Sequence, residues 1–214
     1  MPNLKEFHNH NGGINWKLTE EGVFVEGSGI ERTEGKPLTV TRIWENFGPF
    51  INDWASHYNV YCELIIATIG TESGGNPNAL RKEPKYVSDE ETPNQISPGL
   101  MQTLISTARE TLADNSIDRD WLLIPRNSIQ AGTSYINQQK TKTMLDPPKV
   151  ACAYNSGGVY DQDGTDNRWK MRQYPIGTGE HCSRFVKWIN DAVFMLENHQ
   201  LKPSLSLKDF LNSN

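Results

Sequence analysis

A chain of 214 residues with a net charge of −5 and 36 % hydrophobic residues fits one substantial domain with a small appendage. The negative charge gives no basic field, which argues against nucleic acid or an anionic membrane surface as a partner. No run approaches the roughly 20 apolar residues of a membrane span, so no membrane insertion is expected.

The stretch INWKLTEEGVFV (14–25) alternates apolar and polar residues around TEEG and reads as a short β hairpin, followed by a Gly-rich connection over 27–37. From Thr41 the period lengthens. Ile43, Phe47, Ile51, Trp54 and Tyr58 recur at three- and four-residue steps, one face of an amphipathic helix that Gly48-Pro49 is expected to kink or split. The next run, YCELIIATIGTES, is apolar nearly all round and reads as a central helix. Residues 80–98 are polar, carry three prolines and read as a long loop. Helices are expected over about 104–113, 127–142, 148–155 and 181–199, with a second long loop before the last. The expected organisation is an N-terminal hairpin and linker over 1–40, packed on or docking beside the core, a main domain over 41–200, and a tail over 201–214 that packs or frays. Cys62, Cys152 and Cys182 are an odd count without CxxC spacing. They read as buried small apolar residues, with a disulfide between two of them as the alternative. The histidines do not cluster with them at ligand spacing, so no metal is expected.

Three stretches carry chemistry: ESGGNP from Glu72, SPGLMQT from Ser97 to Thr103, and ACAYNSGG from Ala151 to Gly158. Each sets polar groups beside glycines and apolar residues, as a cleft wall requires. Glu72 shares a helix face with Ile65 and Ile69. Held there, a carboxyl is desolvated and its pKa rises, which suits a general acid near neutral pH; a capping or salt-bridged helix-end Glu is the structural alternative.

In this order the three stretches resemble the signature of the goose-type lysozyme and lytic transglycosylase superfamily: Glu-Ser, then Gly-Leu-Met-Gln, then Ala-Tyr-Asn-Ser-Gly. The resemblance covers about residues 42–197 and leaves the first forty unexplained. It implies an α+β lysozyme-like fold, mainly α, with a helical bundle around a glycan cleft. It makes Glu72 the catalytic acid and base and puts Ser73 near the carboxylate or the substrate acetamido group. Gln102 with Gly99, Leu100 and Met101 would line the sugar-binding floor. Tyr154 would hold Glu72 and lie against the reacting sugar, and Asn155 would tie cleft segments together. A fourth signature, a Glu before a Tyr-Val pair, corresponds to Glu180 ahead of Phe185-Val186, about one residue out of register.

The implied substrate is the peptidoglycan glycan strand, cut between N-acetylmuramic acid and N-acetylglucosamine without metal or organic cofactor. A hydrolase needs two carboxylates, whereas a transglycosylase needs one. Related hydrolases place an Asp soon after Gly-Leu-Met-Gln, where this chain has Thr103 and Leu104, so the transglycosylase is favoured. The hydrolytic alternative would draw a second acid from Glu83, Asp89, Glu90 or Glu91. Tyr86, Tyr160, Trp169 and Tyr174 flank the expected cleft and could stack on sugar rings or pack their own loops. The N-terminal stretch lacks an export-signal pattern. Synthesis in the cytoplasm is therefore expected, with action on the cell wall after holin release or as part of a phage particle whose tail proteins would be partners. Two rivals stand beside this reading: a glycan-binding or structural phage tail component without turnover, and a chitinase on the same fold.

Overall fold

The computed structural model describes residues 3–34 and 37–213. Residues 1, 2, 35, 36 and 214, parts of the expected N-terminal and C-terminal segments, lie outside the described residues. The fold is mainly helical with a small β element at the front, as the sequence pattern indicates.

Strands β1 (Trp16–Thr19) and β2 (Gly22–Val25) form the expected hairpin, paired from Trp16 with Val25 to Thr19 with Gly22. A short third strand, β3 (Gly29–Ile30), adds to β2. Helix α1 (Leu38–Tyr58) runs through Pro49 as one element; Val40, Ile43, Trp44, Phe47, Ile51 and Ala55 on its inner face are buried. The expected split at Gly48-Pro49 is absent. A β-carbon on Gly48 would come within 2.9 Å of Leu201, so the glycine makes room for the C-terminal segment.

Helix α2 (Cys62–Glu72) is buried from Cys62 to Gly70 and packs against α1, α7 (Pro147–Ser156) and α8 (Glu180–Asn198). Isoleucine-rich stretches have only fair helix propensity, but burial on every side decides the conformation here. Thr68 and Thr71 return their hydroxyls to the Leu64 and Ala67 carbonyls, both at 2.8 Å, so neither leaves a polar group stranded.

The 80–98 segment is not structureless. Strands β4 (Leu80–Lys82) and β5 (Ile96–Pro98) pair antiparallel, and a 3-10 turn over Pro93–Gln95 leads into β5. Beyond it, α3 (Ile105–Leu112), α4 (Arg119–Leu123) and α5 (Pro125–Gln138) enclose a satellite core of Ile96, Ile105, Ala108, Ile117, Leu122 and Ala131. The single helix expected over 127–142 divides into α5 and α6 (Lys140–Thr143).

The first strands are tied to α7 and α8. Asp146, fully buried at the start of α7, accepts hydrogen bonds from Trp16 Nε1 (2.9 Å) and pairs with His8 (3.0 Å) and Lys149 (3.2 Å). Asn190 of α8 accepts from the Val23 N–H and donates to the Val23 carbonyl. The tail is docked as well. Trp44 donates to the Leu201 carbonyl, and Glu63 accepts from Ser206 Oγ (2.7 Å) and the Leu207 N–H (3.0 Å) at the start of α9 (Leu207–Ser213). All three cysteines are buried and unbridged.

Candidate active site

The centre of the site is the C-terminal end of α2. Glu72 is its last residue, and Gly74 and Gly75 take φ of +62° and +86° to turn the chain away. A β-carbon on Gly75 would sit 2.9 Å from Ile43, so both conformation and space demand glycine there. Ile65 and Ile69, on the Glu72 face, are fully buried, while the Glu72 side chain keeps 18 % exposure. Its carboxyl therefore stands at the boundary between core and solvent. Burial raises its pKa to about 7 against the opposing pull of Arg184 and Arg81. Its place at the negative end of a helix dipole acts in the same direction as burial.

His181 of α8 closes the other side. Its Nε2 lies 3.7 Å from Glu72 Oε1, and its side chain is 5 % exposed. Burial, with the charges of Arg184 and Arg81, lowers the imidazole to about 4. The ring is therefore neutral near pH 7, and at this distance the contact is neither an ion pair nor a formed hydrogen bond. It is a dry polar wall against the carboxyl.

The three sequence motifs meet through hydrogen bonds. Ser73 Oγ donates to the Leu100 carbonyl at 2.7 Å, joining the first motif to the second. Tyr154 donates to the Met101 carbonyl at 2.8 Å. Its only proton is then committed, so the 2.9 Å contact with Thr103 Oγ1 has Thr103 donating. Burial, and then the Glu72 charge against a counteracting Thr103 bond, holds the Tyr154 phenol well above its ordinary value, so it stays neutral. Asn155 Oδ1 accepts the Tyr174 N–H and fixes the loop before α8.

The structure distributes the expected substrate-binding residues unevenly. Gly99, Leu100 and Met101 are buried. Gly99 has φ +83°, and a β-carbon there would lie 2.2 Å from the Leu122 carbonyl. Gln102, itself at φ +48°, turns its amide inward and donates to the carbonyls of Ala79 (3.0 Å) and Gly99 (2.8 Å). These residues form a largely buried, internally hydrogen-bonded turn rather than an exposed surface. Ser73 and Tyr154 direct their hydroxyls to motif carbonyls rather than to Glu72. Glu180 is exposed at the first position of α8, and the neighbour that reaches Glu72 is His181.

Trp169 is no subsite wall: it is fully buried, edge-on to Trp16 at 5.5 Å, with its N–H donated to Ser183. Tyr160 and Tyr174 are 43 % and 51 % exposed. Tyr86 is held by Asp89 and Arg119. Asp89 is itself engaged. Burial would raise it, but hydrogen bonds from Arg119 and Tyr86 outweigh that and hold it below the usual carboxylate range. Glu83 pairs with Arg81 at 2.9 Å. A second buried carboxyl on α2, Glu63, borders a cavity of about 370 Å³ at the helix's other end and is saturated by the tail.

Sequence reasoning missed His181, Arg81 and Arg184. His181 had a signal: it stands one helical turn before Phe185, within the window where an acidic residue was sought.

Residues 49–175, more than half of the chain, match the family described as the Transglycosylase SLT domain. The chain belongs to the SLT family. Among solved structures, this SLT chain is similar to an inactive glutamate-to-glutamine mutant of lytic transglycosylase Slt from Pseudomonas aeruginosa. Identity is 17 % and TM-score 0.50, over 74 % of this chain and 25 % of that one. It is also similar to the 70-kDa soluble lytic transglycosylase in complex with bulgecin A, at 20 % identity and TM-score 0.52, over 78 % and 26 %. At such identities the likeness establishes a shared fold, and the SLT chain spans about a quarter of the length of those enzymes.

Proposed function

We propose that this SLT chain cleaves the β-1,4 bond between N-acetylmuramic acid and N-acetylglucosamine in peptidoglycan as a lytic transglycosylase. Glu72 is the single general acid and base. The observation that carries this reading is the surroundings of Glu72. The carboxyl titrates near 7, and among the described residues the charges acting on it, Arg184 and Arg81, are both positive. A partner carboxylate is what a two-acid hydrolase would require.

The protonated carboxyl gives its proton to the glycosidic oxygen as the C1–O4 bond breaks, while the acetamido oxygen of the muramoyl residue bonds to C1. The Glu72 carboxylate then takes the proton of the muramoyl 6-hydroxyl. That oxygen attacks C1, the acetamido oxygen leaves, and a 1,6-anhydro ring closes with Glu72 protonated again. A pKa near 7 suits both half-steps, since acid and base forms are each accessible. The neutral His181 and Tyr154 keep the carboxyl partly dry without ionising it.

Residues 1–40 are read as an integral flap on the catalytic domain rather than a docking module, supported by the Asp146 contacts of His8 and Trp16. Leu205, Ser206 and Leu207 of the C-terminal segment brace the start of α2.

The test is digestion of isolated peptidoglycan by the protein and by Glu72→Gln, with fragments identified by mass spectrometry. Anhydromuropeptides from the wild type alone support the proposal. Reducing-end products would instead favour a hydrolase, and binding without fragments would favour a glycan-binding component.

A further inference from the structure

Two arginines border the candidate acid from separate elements. Arg184 lies three residues beyond His181 on α8, and so on the same helix face as the ring that meets Glu72. Arg81 is in β4, just past the turn that ends α2. Both side chains are exposed, and each acts electrostatically on both Glu72 and His181. Among the described ion pairs Arg81 is engaged by a surface pair with Glu83, in which its side chain keeps 66 % exposure; such pairs exchange partners at little cost. No carboxylate pairs with Arg184 among the described ion pairs. In a chain of net charge −5, two cations acting on this desolvated carboxyl are a local feature.

The cations do not serve the acid. They favour the ionised form of Glu72, which cannot donate a proton, and burial has to overcome them. Their benefit must come when something negative joins them. Glycan hydroxyl and acetamido groups carry no charge. The anions of the polymer are the free carboxylates of the peptide stems, attached through the lactyl group to the same muramoyl sugar whose C1 reacts. Guanidinium forks match carboxylates in geometry and charge.

We infer that Arg81 and Arg184 form a carboxylate subsite that takes a free carboxylate of the substrate's peptide stem beside the scissile bond. The inference rests on the proposed peptidoglycan-cleaving reading and deepens it: the enzyme is selective for stem-bearing strands. An occupied subsite also cancels the two positive charges, so Glu72 holds its proton more firmly when the correct substrate is in place.

The test is binding by the Glu72→Gln protein, which does not depend on turnover. Three probes are titrated: soluble glycan strands with peptide stems, the same strands with carboxylates converted to amides by carbodiimide and ammonium, and strands stripped of stems, which expose the lactyl carboxylate. Native strands are expected to bind about tenfold more tightly than either other probe, the scale of one charge-assisted pair. Adding Arg184→Gln or Arg81→Gln should erase that preference, and Arg184→Lys should restore part of it, with thermal melts confirming intact folding.

A preference that survives Arg184→Gln, or no preference at all, would overturn the subsite. Tight, arginine-dependent binding of stripped strands would overturn the stem assignment in favour of the lactyl carboxylate. Failure of the catalytic reading looks different: wild-type protein would release no fragments while the binding preference persisted.

Discussion

Glu72 and His181 meet at 3.7 Å across the α2–α8 packing, a carboxyl that titrates near 7 facing an imidazole that stays neutral down to about 4. Over the pH range between those values the pair holds one proton, and it belongs to Glu72.

General-acid activity is expected to fall as pH rises through about 7, because the proton-donating form of Glu72 disappears there. The groups that face Glu72 are His181 and Arg184 from α8, Arg81 from β4 and Tyr154 from α7. Replacing His181 with Ala admits water to the carboxyl and should move the descending limb of kcat/KM to lower pH. A rate profile from pH 4 to 9 for both proteins reads this directly. An unmoved limb would remove His181 from the site.

Stability should carry the same signature. A carboxyl whose folded pKa lies above its unfolded value binds more protons when folded. Stability therefore declines as pH rises from the unfolded value toward about 7 and stays low above it. Glu72→Gln removes that penalty. It is expected to be more stable than wild type at pH 8, by on the order of 1–3 kcal/mol, with the difference vanishing near pH 4. Urea denaturation at the two pH values measures it.

Tyr154→Phe leaves the Met101 carbonyl and the buried Thr103 hydroxyl without their shared partner. A loss of about 1–3 kcal/mol is expected. Because the second and third motifs then drift apart beside Glu72, kcat should fall more than KM rises. Equal stability of the variant in chemical denaturation would contradict the clamp.

Asp146→Ala removes the acceptor shared by Trp16, His8 and Lys149 in a fully buried place. The cost should reach about 3–5 kcal/mol, as for other broken buried pairs. If residues 1–40 are an integral flap, limited proteolysis of the variant should cut them first. Wild-type protease resistance in that segment would argue for a separately anchored module.

The sequence was most legible where periodicity ran long. The inner face of α1 and the all-round burial of α2 followed from spacing, and the desolvated, raised carboxyl of Glu72 followed from its position behind five apolar residues. Strands β4 and β5, three residues each, are too short for alternation to register, so the segment read as loop. Trp169 looked like a loop aromatic because its partner, Trp16, is distant in sequence. His181 was hidden for the same reason: nothing local marks an imidazole whose meaning is a carboxyl half a chain away.

The α2–α8 approach also sets when the Glu72 carboxyl acquires its raised pKa. Glu72 ends α2, but the His181 surface that covers it belongs to α8, which is synthesised more than a hundred residues later. A nascent chain lacking α8 carries an ordinary glutamate there, almost wholly ionised at neutral pH and a poor proton donor. The desolvation of Glu72 is therefore not built up gradually along the chain; it is completed only when α8 docks.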